Sequence, residues 1–256
     1  MDFSNIKGIE IPEGIVKQIT DADNNILWQK ASPQPQYIQD GLVAWFDAEN
    51  NTGTGHASNV KVWKNLVGNG YDAQTNDTVN GMNFESNYIQ FTSYSTRAPV
   101  FRYNVPTDGL TFEVVCIATS PIGSSQAPLI SNFSGIGYGL QNASFTSGIG
   151  MTINTGSWQD MNIVFTNDWN TNKIYTITGT YDNTTMKGYA DGVKLSYNTV
   201  GGQARSDYSE LVIFGAKTSN MSLLSGKVYC VRCYNRALTE EEVAYNRAID
   251  LSRFGT

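Results

Sequence analysis

Between residues 41 and 234 the apolar residues come in runs of strand length, and turn signals close the runs. The runs cover 41–46, 110–118, 173–181, 186–190, 211–214 and 227–234. Gly68-Asn69-Gly70, Asp182-Asn183 and Asp191-Gly192 punctuate them, and such pairs favour tight reversals of direction. No strand–helix–strand alternation occurs, which argues against a parallel sheet. Composition agrees. Charged residues are 16% of the chain, against about 25% in an ordinary soluble domain, and hydrophobic residues 40%. Asn, Thr, Ser, Gly and Tyr fill the difference and suit turns and half-buried strands. With 256 residues there is room for one large all-β domain and a small appendage.

The one clear helix signal stands at the end. Thr239 and Glu242 have the spacing of a capping box, and Glu240 and Glu241 favour the positive end of a helix dipole. Ala244, Ala248 and Leu251 recur at helical spacing, which predicts that they form the packed face, and Gly255 closes the segment.

Residues 1–30 read as a separate β-hairpin module. Ile9-Glu10-Ile11 runs into a Pro12-Glu13-Gly14 turn. Strands over 15–20 and 26–28 then flank the loop 21–25. A unit below about 40 residues without metal or disulfide closes no core of its own. Its apolar residues Ile9, Ile11, Ile15, Ile19, Leu27 and Trp28 are therefore expected to bind a partner. Residues 31–37 form a linker in which Pro33 and Pro35 favour an extended spacer, and 38–256 form the main domain.

The net charge is −6, with no Lys/Arg cluster, so there is no positive surface on which a nucleic-acid backbone would displace counterions. No apolar run reaches the roughly 20 residues that span a bilayer, and the first residues lack the pattern of a secretory signal. Cys116, Cys230 and Cys233 make no disulfide framework. In a strand, Cys230 and Cys233 point to opposite faces, so their C-x-x-C spacing reads as buried thiols rather than a zinc site.

Particular stretches carry a resemblance. Gly41-Leu42-Val43-Ala44-Trp45-Phe46-Asp47, followed by Trp63-Lys64-Asn65-Leu66-Val67-Gly68-Asn69, resembles the opening of bacterial and phage laminin G-like domains. Gly188-Tyr189-Ala190-Asp191-Gly192 looks like the family's central hairpin turn. Tyr234-Asn235-Arg236-Ala237-Leu238-Thr239-Glu240-Glu241-Glu242 looks like its closing segment. The resemblance implies an antiparallel two-sheet jelly-roll sandwich of the concanavalin A type, with Trp45 and Trp63 in its core. The pattern Asp2-Phe3-Ser4, Ile6-Lys7, Ile9, Ile11-Pro12-Glu13-Gly14, Val16 and Ile26-Leu27-Trp28 is similar to the start of structural proteins of phages and prophages. That similarity implies a virion protein, made in the host cytoplasm, released by lysis and joined to other virion proteins through residues 1–30. Homo-oligomerisation is expected.

Concanavalin A-like folds include glycosidases, which need two carboxylates about 5–5.5 Å apart for retention. Glu113 stands alone in Phe112-Glu113-Val114, and His56 sits in a loop, so no catalytic set is legible. Trp158 and Trp169 lie among polar turn residues. Each either stacks on a glycan or plugs a sandwich edge or subunit interface. Asp47, Asn50, Asn69 and Asp72 are loop oxygen donors of the kind that hold a structural calcium ion, without the spacing of a known calcium loop. The expectation is a non-catalytic adhesin for a host-surface glycan, with a purely structural decoration protein as the first alternative and a glycoside hydrolase of the concanavalin A-like superfold as the second.

Overall fold

Alternation along Leu110–Ala118 sets the architecture. Leu110, Phe112, Val114, Cys116 and Ala118 enter one large apolar core, while Val115 and Ile117 face the other way into a second cluster. A strand buried on both faces needs a layer on each, and here a second sheet covers one face and a helix the other.

The computed structural model describes residues 18–20, 26–29, 36–49, 62–74, 82–91, 100–104, 106, 108–119, 127–132, 137–143, 148–165, 170–214 and 225–255. The chain divides into two compact units, Met1–Gln36 and Tyr37–Thr256. In the first unit β1 (Gln18–Thr20) pairs antiparallel with β2 (Ile26–Gln29), Ile19 opposite Trp28. Ile9, Ile11 and Ile15 lie outside the described residues.

The second unit opens with β3 (Leu42–Asp47), β4 (Val62–Trp63), β5 (Ala73–Gln74), β6 (Met82–Phe84), β7 (Ile89–Phe91) and β8 (Val100–Arg102). It continues with β9 (Leu110–Ala118), β10 (Ala127–Ser131), β11 (Tyr138–Ala143), β12 (Gly148–Asn154) and β13 (Trp158–Phe165). The last strands are β14 (Tyr175–Tyr181), β15 (Thr185–Ala190), β16 (Val193–Thr199), β17 (Glu210–Ile213) and β18 (Gly226–Tyr234), and α1 (Glu240–Phe254) follows them. One sheet runs β13-β12-β11-β10-β17-β8-β5-β4. The other runs β16-β15-β14-β9-β18-β7-β6, with β3 also on β18. Among the described residues every pairing of these strands is antiparallel. The result is a jelly-roll sandwich with one C-terminal helix.

Local chemistry explains the turns. β15 and β16 join through Asp191 and Gly192 at φ 53° and 78°, the mirror-image turn whose twist matches the strands. At Gly179 a Cβ would come 2.7 Å from Leu140 Cδ2 and 2.8 Å from Met151 Sδ of the facing sheet, so those side chains pack directly over the glycine backbone. Trp63 is buried in the inter-sheet core, and Trp45 is partly buried on the opposite face of the second sheet. Cys233 faces the inter-sheet core and Cys230 the helix side. Burial pushes both thiols up, so neither is a ready nucleophile or metal ligand.

α1 starts as its sequence dictates. The Thr239 hydroxyl accepts from the Glu242 N–H at 3.2 Å, and the Glu242 carboxylate accepts from the Thr239 N–H at 2.9 Å. Gly255, at φ 66°, ends it. Its buried face differs from the expected one. Val243, Asn246, Ile249 and Asp250 are buried, whereas Ala244, Ala248 and Leu251 are exposed. The cause is polar: the helix turns Asn246 and Asp250 inward to meet charges on the sheet, and a reading by apolar spacing alone misplaces its phase.

This phase is testable. Ile249→Ala should lower the unfolding free energy in urea by about 2–5 kcal/mol, the cost of a large-to-small change in a core. Leu251→Ala, at a residue 50% exposed, should stay within about 0.5 kcal/mol. The reverse order would place the helix on its other face.

Candidate functional site

Between α1 and the second sheet lies a buried ionic cluster. Arg232 sits mid-strand in β18 and Glu113 opposite it on β9. Arg232 Nε donates to Glu113 Oε2 at 2.8 Å, and Nη1 and Nη2 fork onto Asp250 Oδ1 and Oδ2 at 2.8 and 2.7 Å. Asn246 Nδ2 donates to Glu113 Oε2 at 2.7 Å, and Thr178 Oγ1 donates to Oε1 at 3.3 Å. Tyr37 and Thr176 donate to Asp250 at 2.8 and 3.1 Å, and the Tyr37 ring lies 3.9 Å from the guanidinium carbon. Glu113, Arg232 and Asp250 are each 0% exposed.

Glu113 therefore does not stand alone. It shares one arginine with a second carboxylate, a pairing hidden from sequence because Asp250 comes from the terminal helix. Desolvation pushes the Glu113 carboxyl above its usual range, the Asp250 charge adds to this, and Arg232 opposes it. Burial works against the Arg232 charge, but Asp250 and Glu113 outweigh it and raise its pKa further. A sealed pair on a fixed cation has no surface for substrate or water, so it locks the fold rather than catalysing. A charge inside each of two apolar strands, Phe112-Glu113-Val114 and Val231-Arg232-Cys233, was the available signal.

The proposed calcium donors have other work. Asp47 Oδ1 accepts from Arg253 Nη2 at 3.0 Å and Oδ2 from Nη1, and Asp47 is 0% exposed. Asp72 accepts from Lys64 Nζ at 2.6 Å and from the Asn65 N–H at 3.0 Å. Asn69 Nδ2 donates to the Val43 carbonyl at 2.8 Å, while its oxygen accepts from Asn65 Nδ2 and the Tyr71 N–H. The Asn65, Asn69 and Asp72 contacts stitch the β4–β5 turn onto β3, and the Asp47 contacts tie β3 to α1. Asn50 and His56 lie outside the described residues.

That pinned turn forms one wall of an open cleft of about 370 Å³ at the rim of the sandwich. Asn69 and Tyr71 come from the turn, Arg102 and Asn104 from the end of β8, Asp108 precedes β9, and Asn235 follows β18. Tyr103 lies between Arg102 and Asn104 and points inward, donating its hydroxyl to the Tyr234 carbonyl at 3.0 Å, which fixes the segment.

Trp158 begins the edge strand β13 rather than lying in a turn, and it is 44% exposed. Asp160, two residues on, shares its face. Met161 and Ile163 point instead into the inter-sheet core. Beside Trp158 runs a polar ladder across three strands. Gln141 Nε2 donates to Thr152 Oγ1 at 2.6 Å, and Thr152 donates to Asp160 Oδ1 at 2.6 Å. Gln141 Oε1 and Asn162 Oδ1 are buried, with no hydrogen-bond partner among the described residues. Trp169 lies outside the described residues.

Residues 85–244 match the Laminin_G_3 model, described as concanavalin A-like lectin/glucanases superfamily. No curated protein matches the sequence. Among solved structures, Trypanosoma rangeli sialidase in complex with sialic acid is similar at TM-score 0.59 and 17% identity, over 84% of this chain and 34% of that one. The binding domain of Paraclostridial Mosquitocidal Protein 1 is similar at TM-score 0.58 and 15% identity, over 84% and 53%. The chain thus spans about a third of the sialidase, and identities this low show the fold alone.

Proposed function

The chain belongs to the concanavalin A-like lectin/glucanases superfamily, and from that premise we propose that it is a non-catalytic, saccharide-binding adhesion module of a phage virion. The observation that carries the binding part is Trp158. A half-exposed indole on an edge strand offers an apolar face to sugar C–H groups. Asp160, exposed on the same face, offers a carboxylate to hydroxyls at the adjoining position, and the buried Thr152 and Gln141 behind it hold that carboxylate in place. Trp169 is proposed as a second stacking residue on sequence grounds.

The non-catalytic part rests on Glu113 and Asp250, two carboxylates that share Arg232 and are fully enclosed. Hydrolysis of a glycosidic bond needs an acid and a base that reach the substrate.

The virion setting rests on the N-terminal pattern. The apolar residues Ile9, Ile11, Ile15, Ile19, Leu27 and Trp28 carry more apolar surface than a hairpin of that size can bury in itself. At about 1.5–3 kcal/mol per buried side chain, several of them would anchor a subunit on another virion protein or in a homo-oligomer. Host-surface glycan is the proposed external partner.

Trp158→Ala should weaken oligosaccharide binding by about 1 kcal/mol or more on a glycan array followed by calorimetry, with little change in melting temperature. A stability loss of about 3–5 kcal/mol would assign the indole to packing instead. An array without signal would favour a purely structural decoration protein. Deleting residues 1–30 should leave a folded protein that no longer incorporates into particles, and normal occupancy of the truncated protein would overturn the attachment role.

A further inference from the structure

We propose that the rim cleft is a second binding site, specific for an acidic sugar whose carboxylate is taken by Arg102. Arg102 ends β8 and is exposed, and among the described residues its guanidinium makes no ion pair. Its cross-strand partner is Glu210, an obvious counter-charge, yet the guanidinium sits instead 5.7 Å from the centre of the Tyr71 ring. An arginine held against an aromatic face keeps its N–H edge available, and that edge matches a carboxylate with two parallel hydrogen bonds. Tyr71 is 40% exposed, so its ring also offers apolar surface to a sugar beside the charge.

The walls supply the remaining chemistry. Asn104 and Asn235 are exposed amides in the cleft, each able to donate to and accept from hydroxyls. The frame is rigid where it needs to be. The Asn65–Asn69–Asp72 bonds hold the turn carrying Tyr71, and the inward Tyr103 hydroxyl holds the segment carrying Arg102 and Asn104. A volume of about 370 Å³ admits a saccharide unit rather than a protein loop. Asp108 also lines the cleft, so a strong polyanion is disfavoured and a single carboxylate among hydroxyls fits better. The site rests on the saccharide reading for its ligand class, but it uses none of the residues around Trp158.

The test is a titration of the full chain with glucuronic acid and N-acetylneuraminic acid, against glucose, galactose and acetate, followed by NMR or calorimetry. Both acidic sugars should bind more tightly than their neutral counterparts and than acetate. Arg102→Ala should reduce that binding at least about tenfold with no change in melting temperature. Arg102→Lys, which keeps the charge and loses the fork, should recover only part of it. Unaltered binding in Arg102→Ala would overturn the proposal, and equal binding of acetate would reduce the site to an unspecific anion contact. Trp158→Ala should leave acidic-sugar binding intact. If it removes that binding, the sugar sits on β13 and the cleft is not the site, whereas failure at Trp158 alone leaves the cleft standing.

Discussion

The guanidinium of Arg232 joins the two layers on which everything else rests. Its Nε holds Glu113 in the neighbouring strand, its fork holds Asp250 in α1, and the ring of Tyr37 lies against its face. Removing one partner of such a buried set costs about 3–5 kcal/mol, because a charge is left enclosed without its counter-charge. Replacing the whole set with apolar residues of equal volume is often neutral. The contacts of the cluster are made by the face of α1 that carries Asn246 and Asp250, so they fix which face of the helix meets the sheet. Around it, Ile249 and Tyr229 on one side and Val243 and Leu238 on the other complete the two apolar clusters under the helix.

The helix packs on the outside of one sheet, whose edge strand β16 still exposes Val193, Leu195 and Tyr197. The proposed binding places lie on the edge strand β13 of the other sheet and at the rim. On the outer side of the first sheet the buried Gln141 and Thr152 form a hydrogen-bonded ladder that ends at the exposed Asp160, with Trp158 at the edge. At the rim, segments far apart in sequence meet around Tyr71 and Arg102. Both places combine an exposed aromatic with fixed polar groups, the combination that saccharides require. The buried carboxylates Glu113 and Asp250 serve the scaffold.

Strands packed on both faces were the most legible part of the chain. Leu110–Ala118 matches its sequence reading, and Gly226–Tyr234 differs from its reading by one residue at its start, because apolar neighbours on two sides leave a continuous apolar run. Tyr138–Ala143 and Gly148–Asn154 did not stand out. Glycines and polar residues occupy the outward positions there, which dilutes the apolar signal. The phase of α1 misled for a related reason, since its inward residues Asn246 and Asp250 are polar and answer to charges that only the fold brings near. Trp158 stood out in the sequence as an indole among polar neighbours, and the structure puts it on an edge strand rather than in a turn. The rim cleft was not, because four separate segments build it.

The most direct measurement is a titration of the full chain with oligosaccharides, monitored through the tryptophan indole N–H resonances. Trp158 should shift as ligand is added, while Trp63, which is 1% exposed and donates to the Asp47 carbonyl at 3.2 Å, should stay fixed. Indole resonances that all remain in place across a broad panel of saccharides, or a shift confined to buried Trp63, would contradict the account.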